Sequence, residues 1–322
     1  MTWLVVGGAG YVGSHVVHHL HAEGKDVVVL DDLSSGRAES VPSGVPLLVA
    51  DAADAKQVLG VMGSRSVTGV IHLAARKHAR ESMKHPLGYW RTKLGTLLGV
   101  LESAQSWPIK WILLSSSCSV YGSAGEVCDE TPLAPVSPYG STKVASEMLV
   151  REWAQSRSVR WAALRYFNVI GNAEFPMAPD RSSECIVPAV TRRLRQGESP
   201  VVFGGDFATP DGSAMRDYID VRDVAAAHTV VATHLDTAPG SHYEGFACNV
   251  STGTPVSVYS IVDSLASATG WQGTVRTVDR RSGDPDLVWA RPSSRLTALG
   301  WRPSFSLVDS VLSHVLHDDS PT

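Results

Sequence analysis

Cysteine is scarce: Cys118, Cys128, Cys185 and Cys248 are scattered through 322 residues and form no C-x-x-C pair. Neither a zinc site nor a disulfide framework is expected from them. No apolar run approaches the roughly 18 residues of a membrane-spanning helix. Basic charge is not in excess either, since 28 Lys and Arg stand against 32 Asp and Glu, a net −4 with no long block of either sign. A nucleic-acid backbone needs a concentrated basic face, so nucleic acid is not the main partner. The first apolar strand begins at Trp3, which leaves no room for the regions of a secretory leader. No internal repeat or low-complexity tract is present. The expectation is a soluble cytoplasmic α/β protein, long enough for one large or two ordinary domains.

Residues 3–7 form a continuous apolar run of the kind buried on both faces of a parallel sheet. A glycine-rich loop follows, then a helix from Ser14 to about Glu23 stopped by Gly24. A second strand runs from Asp26 to Leu30, and others are expected at 46–50, 67–72, 111–115 and 160–165. Each is separated from the next by enough chain for a helix, which predicts a Rossmann-like, doubly wound parallel sheet. Ligands bind such sheets at the carboxyl ends of the strands. After residue 171 the alternation loosens. A basic helix at 187–196, a strand and helix at 217–234, a helix near 257–269, a strand near 274–278 and a helix near 306–316 are expected. The domains are therefore set at 1–171, with 216–235 returning to it, and 172–322 as a smaller α/β domain that binds substrate.

The loop Gly7-Gly8-Ala9-Gly10-Tyr11-Val12-Gly13 sits between the first strand and first helix. Its glycines serve a tight turn, close approach to a pyrophosphate and close helix packing, with the helix N-terminus facing the phosphates. Asp31 follows Gly13 by 18 residues, at the end of the second strand and beside Asp32. A carboxylate there accepts from a ribose 2′-hydroxyl and repels a 2′-phosphate, so the expected cofactor is NAD rather than NADP. Asp51 ends the third strand and serves either the adenine or a loop cap.

Downstream, Tyr139 and Lys143 lie four residues apart in a helical segment and share one face. An ammonium beside a phenol favours the phenolate. Bringing a tyrosine from about 10 to near 7 takes roughly 4 kcal/mol, more than one exposed pair supplies. A second positive charge, such as an oxidised nicotinamide, has to share the task.

With these segments, Ile-His-Leu-Ala-Ala-Arg-Lys (71–77), Ser-Ser-Ser-Cys-Ser-Val-Tyr-Gly (115–122) and Arg-Tyr-Phe-Asn-Val-Ile-Gly (165–171), the chain resembles the extended short-chain dehydrogenase/reductase superfamily. Asp-Gly-Ser-Ala-Met-Arg-Asp-Tyr-Ile-Asp-Val-Arg-Asp-Val (211–224), Arg-Arg-Ser-Gly-Asp (280–284) and Leu-Gly-Trp-Arg-Pro (299–303) point to its UDP-galactose 4-epimerase-like branch. The resemblance implies that Tyr139 takes the sugar 4-hydroxyl proton while hydride leaves C4 for NAD. It implies that Lys143 holds the nicotinamide ribose and that Ser117, with help from Ser119, bonds the 4-oxygen. Gly7, Gly10, Tyr11, Val12, Gly13, Asp31, Asp32, Asp51, Lys77 and Tyr166 fall on the cofactor side. Asn168, Cys185, Arg216, Arg281 and Asp284 fall on the nucleotide side, where guanidinium forks suit a diphosphate. The 4-keto intermediate would turn over in the site and take the same hydride on its other face. A UDP-sugar substrate and a homodimer, through helices near 86–104 and 139–156, are further implications.

Several positions depart from the family pattern. The segment Tyr89-Trp90-Arg91-Thr92-Lys93-Leu94-Gly95-Thr96 is one residue short and lacks the usual asparagine before Gly-Thr. Cys185 stands where asparagine or histidine is usual. Val288 replaces a tyrosine, which is expected to leave room for a 2-acetamido group. Three alternatives remain. A nucleotide-sugar 4,6-dehydratase needs an acid and a base just after Ser117, where this chain has Cys118-Ser119. A UDP-glucuronate 4-epimerase shares the serine-rich segment and is the nearer rival. A non-catalytic NAD-binding regulator would have no need of Ser117, Tyr139 and Lys143 together.

Overall fold

The opening apolar run becomes β1 (Thr2–Val6), in which Trp3 to Val6 are all buried. The computed structural model describes residues 1–75, 79–173, 177–180, 182, 184–238, 245–281 and 283–317. After β1 come α1 (Tyr11–Ala22), β2 (Asp26–Asp31), β3 (Leu47–Val49) and α2 (Ala55–Ser64). Asp54 starts α2 by accepting from the N–H groups of Lys56, at 2.9 Å, and Gln57, at 3.3 Å, a cap worth about 1 kcal/mol. There follow β4 (Val67–His72), α3 (Ala79–Lys84), α4 (Pro86–Ser106), β5 (Trp111–Ser117), β6 (Glu126–Val127), α5 (Pro138–Arg157), β7 (Arg160–Tyr166) and β8 (Asn168–Ile170). The later part holds α6 (Ile186–Arg195), β9 (Val201–Phe203), β10 (Met215–Asp220), α7 (Val221–Thr237), β11 (Phe246–Val250), β12 (Pro255–Ser257), α8 (Val258–Thr269), β13 (Arg276–Val278), β14 (Leu287–Ala290), α9 (Ser294–Ala298) and α10 (Leu307–His317).

Among the described residues, seven strands form a sheet in the order β11-β7-β5-β4-β1-β2-β3, parallel throughout. The chain winds outward one way from β1 to β3 and the other way from β4, so the order reverses between β1 and β4. One face packs Val16, Val17 and Leu20 of α1 with Val224 and Val231 of α7 against Val5, Val29 and Trp111. The other packs Val58 and Met62 of α2, Leu97 and Val100 of α4 and Val150 of α5 against Leu4, Val28 and Ile112. Each fully buried side chain of this size contributes about 2 kcal/mol. β11 was not foreseen: its sequence, Phe-Ala-Cys-Asn-Val, is too short and too mixed to signal a strand, yet it pairs with β7 from Phe246 to Val250. The large sheet therefore takes strands from both sides of residue 171, and α7 lies on α1 with His19 Nδ1 2.9 Å from Thr229 Oγ1.

A second layer stands over the carboxyl edge. β10 pairs with β8, β12 and β14, and β14 pairs with β6. Its core joins Val187, Val190 and Leu194 of α6 to Ile261 and Leu265 of α8, Tyr218 of β10 and Val311 of α10.

Candidate active site

A cleft of about 2150 Å³ opens where the strand ends of the large sheet meet the second layer. At one end, the turn after β1 enters α1. Gly7 has φ +83°, and a Cβ there would stand 2.6 Å from the Ala74 nitrogen; one on Gly13 would stand 2.0 Å from the Gly7 oxygen. Protein atoms thus forbid a side chain at both positions. Gly10 differs, because its Cβ would meet only the Gly7 oxygen, at an ordinary 3.6 Å. It is the N-cap of α1, has no side-chain capping bond and lines the cleft with Tyr11, Val12 and Gly13. The positive end of α1 is open to an anion, as a pyrophosphate requires. The Tyr11 hydroxyl ties this turn to the far layer by donating to the Gly171 carbonyl at 2.7 Å.

Asp31, at the end of β2, accepts from the N–H groups of Ala9 and Leu33, both at 2.9 Å. Burial raises its pKa and these bonds oppose the rise. Its carboxylate is therefore fixed against the glycine turn. Asp32 is exposed and accepts from Ser34 N–H; Asp51 accepts from Ala53 N–H at 2.8 Å. Both line the cleft, and the Asp51 bond makes it a loop cap. A dinucleotide fits this end: an open helix N-terminus, a fixed acceptor and small residues between. Lys77, assigned to the cofactor, lies outside the described residues.

Tyr139 and Lys143 sit midway. α5 starts on Ser137, whose hydroxyl accepts from Gly140 N–H, with Pro138 in the first turn. Tyr139 is 9% exposed, within hydrogen-bonding reach of Ser117, whose own hydroxyl accepts from Ser119 N–H at 3.2 Å and from Ser119 Oγ at 3.1 Å. Lys143 alone does not outweigh the burial of the Tyr139 phenol. Burial pushes the phenol up to about 12, and the Ser117 bond opposes this only in part. Lys143 instead donates to the Ser115 carbonyl at 2.5 Å, and its Nζ is 5.9 Å from the Tyr139 ring centroid. Returning the phenol from about 12 to near neutrality takes roughly 7 kcal/mol. A single cation at that distance offers about 3 kcal/mol at an effective dielectric constant of about 20. Tyr166 also reaches the cleft, but its hydroxyl is 2.6 Å from His228 Nε2.

The other end is cationic. Arg216 on β10 is held by Asp284 and by its own bond to the Met215 carbonyl at 2.7 Å. The Arg281 guanidinium stacks over the Phe203 ring at 3.7 Å, and its Nε is buried with no partner among the described residues. Burial, and Arg80 close by, lower its pKa. Arg80, the second residue of α3, lines the same wall and was missed, because a lone arginine carries no sequence signal. Asn168 on β8 and Cys185, the N-cap of α6, complete the lining. Every described residue assigned to the site thus meets in one cleft. Val288 does not widen it: the side chain is 6% exposed and packs with Val120, Tyr121 and Phe167 in a small core, which corrects the expectation of extra room there. Among the described residues no His, Cys, Asp and Glu group could hold a metal. His15, on α1, is instead a buried helix residue, Nδ1 2.8 Å from the Tyr11 carbonyl and pushed down to about 4 by burial.

Comparison with known proteins agrees with this geometry. The sequence model of the NAD dependent epimerase/dehydratase family matches residues 3–244. A UDP-glucose 4-epimerase of Azospirillum brasilense is 35% identical over 97% of this chain and 90% of its own. The crystal structure of a UDP-glucose-4-epimerase from Stenotrophomonas maltophila, with bound NAD and formylated UDP-arabinopyranose, superposes with a TM-score of 0.91 at 30% identity, covering 98% of this chain and 97% of that one. A UDP-glucose 4-epimerase from Brucella ovis in complex with NAD gives 0.90 at 32% identity over 98% of each chain. The chain belongs to the NAD dependent epimerase/dehydratase family.

Proposed function

We propose that this protein is an NAD-dependent UDP-sugar 4-epimerase, interconverting UDP-hexoses such as glucose and galactose or their N-acetylhexosamine forms. The observation that carries the reading is the position of Tyr139 and Ser117, between an open helix N-terminus and an arginine-lined wall within one cleft. Relatives at about this identity over nearly the whole chain are UDP-glucose 4-epimerases, which supports the substrate class.

In this reading the α1 N-terminus holds the pyrophosphate of NAD, Asp31 takes the adenosine ribose hydroxyls and Lys143 reaches the nicotinamide ribose. Bound NAD supplies a hydride acceptor that can also return the hydride. Arg216, braced by Asp284, clamps the sugar-nucleotide diphosphate with Arg281 and Arg80, while Asn168 and Cys185 lie along the same wall. Tyr139 takes the 4-hydroxyl proton and later returns it, with Ser117 bonded to the 4-oxygen and oriented by Ser119. Holding the substrate by its nucleotide leaves the sugar free to turn over as the 4-keto species. The dehydratase alternative lacks its acid and base, since Cys118 follows Ser117 and burial pushes that thiol up to about 11. We divide the chain into a cofactor domain, 1–171 with the returning α7 and β11, and a substrate domain from the rest. A homodimer through α4 and α5 is part of the proposal, and Leu98 and Met148 on these helices are exposed. A cytoplasmic location accords with four free cysteines, and cell fractionation checks it.

The test is NMR of the purified protein with a panel of UDP-sugars in deuterated water, without added NAD. The expected result is the C4 epimer with no solvent deuterium at C4, which names the sugar. Loss of water or deuterium at C5 would sink the epimerase reading.

A further inference from the structure

Lys93 is the residue of the shortened segment that the proposed mechanism does not use. It lies on the inner face of α4, is 3% exposed, and its Nζ bonds no carboxylate, carbonyl or hydroxyl among the described residues, with only the Lys143 amine within hydrogen-bonding reach. That Nζ stands 4.9 Å from the Tyr139 ring centroid, closer than Lys143 at 5.9 Å. A buried amine with only a second amine beside it is costly, and here it lies over the ring of the phenol that must ionise.

The charges around it do not cancel. From α5 it faces Tyr139 and Lys143; from β4 it faces His72, whose Nε2 is likewise buried without a partner among the described residues. Glu147, one turn beyond Lys143, is already taken by Arg165 of β7, with bonds of 2.7 Å and 3.1 Å, and by the Ser116 hydroxyl. Glu81 of α3 accepts from Tyr89, one turn before Lys93 on α4. Glu147 still attracts Lys143 from one turn away, but Lys93 has no carboxylate of its own among these groups. Two buried ammonium groups side by side repel, so the pair is stable with one positive charge. Burial and the Lys143 charge lower the Lys93 pKa, and burial brings Lys143 down to about 8. Burial, helped by the two lysines, pushes His72 down to about 3, so His72 stays neutral and is no proton store.

We propose that Lys93 is a positioning residue for proton transfer: it and Lys143 hold one positive charge between them, and the pair takes up the proton released when Tyr139 ionises. The O–H bond of Tyr139 breaks, an N–H bond forms on the neutral amine of the pair, and the net charge of the cluster is unchanged. Nothing is oxidised or reduced. The phenolate then stands against two cations, the second of them the charge that a single lysine could not replace. At 4.9 Å the added charge favours the phenolate by about two orders of magnitude. The proposal rests on Tyr139 acting as the base in the proposed function.

The test uses full-length wild type, K93M and K93Q, each compared with the same protein carrying Y139F. The ultraviolet change from phenol to phenolate is followed from about pH 6 to 11, alongside the pH dependence of kcat/KM and thermal unfolding. Both variants are expected to fold, because each removes a buried ammonium. In both, the Tyr139 titration and the acidic limb of kcat/KM should move up by more than one pH unit. At neutral pH kcat should fall about 100-fold with little change in KM, and recover at high pH. An unmoved Tyr139 titration in both variants, or a loss of kcat with an unshifted pH profile, would overturn the proposal. If wild type turns over no UDP-sugar, the proposed function fails while the spectral titration still decides the role of Lys93.

Discussion

Gly10 and Gly13 are both small residues of one loop, but the structure gives them different reasons to be small, and alanine separates the two. At Gly13 a methyl would stand 2.0 Å from the Gly7 oxygen and 2.9 Å from the Gly8 Cα. Both atoms are backbone of a tight turn and cannot rotate away. Overpacking costs about 1–3 kcal/mol where side chains can adjust, so about 3 kcal/mol or more is expected for G13A. At roughly 2–4 °C per kcal/mol for a chain of this size, that is a fall of about 6–12 °C in Tm. At Gly10 the methyl meets one atom at 3.6 Å. The weaker cap and the smaller entropy of the unfolded chain nearly offset each other, leaving about 1 kcal/mol at most. The methyl does, however, occupy the mouth of the α1 N-terminus. If the pyrophosphate binds there, G10A should weaken NAD by at least about 100-fold, or roughly 2.7 kcal/mol. Thermal unfolding of nucleotide-stripped protein and calorimetric titration with NAD measure both quantities. A G10A protein that melts as early as G13A while binding NAD normally would refute the assignment.

R216M should raise KM for the UDP-sugar about 10- to 100-fold while leaving kcat within a few-fold, since its fork is lost equally to ground and transition states; a fall in kcat at constant KM would place Arg216 elsewhere. The double change L98E/M148E should convert the proposed dimer to a monomer in sedimentation velocity, because two charges on each copy would be buried unpaired. Unchanged sedimentation would remove α4 and α5 from the interface.

Legibility in the sequence followed the range of the interactions. The parallel sheet could be read because Trp3–Val6 of β1 and Val27–Leu30 of β2 are unbroken apolar runs, a local signal. The glycine turn, Asp31, Tyr139 and Lys143 could be read because spacing along one turn or one strand sets their geometry. β11 could not: five mixed residues become a strand only because β7 offers an open edge, which no local pattern encodes. Val288 misled for a related reason, since the loss of a large side chain does not show whether the vacated place faces the cleft or the core.

Lys93 shows the same limit in its electrostatics. In the sequence it is one cation in an altered helical segment, and a solvated lysine would explain it. Its meaning depends on a comparison available only in three dimensions. One turn beyond Lys143, Arg165 and Glu147 form a buried pair in which each charge is met by the other and by hydrogen bonds. Glu147 still attracts Lys143, but most of its charge is met within that pair. Lys93 has no such counterpart, and the field of the two lysines falls on what lies beside them. What lies beside them is Tyr139, raised by burial to about 12, the one group in the proposed reaction whose work requires it to carry a negative charge.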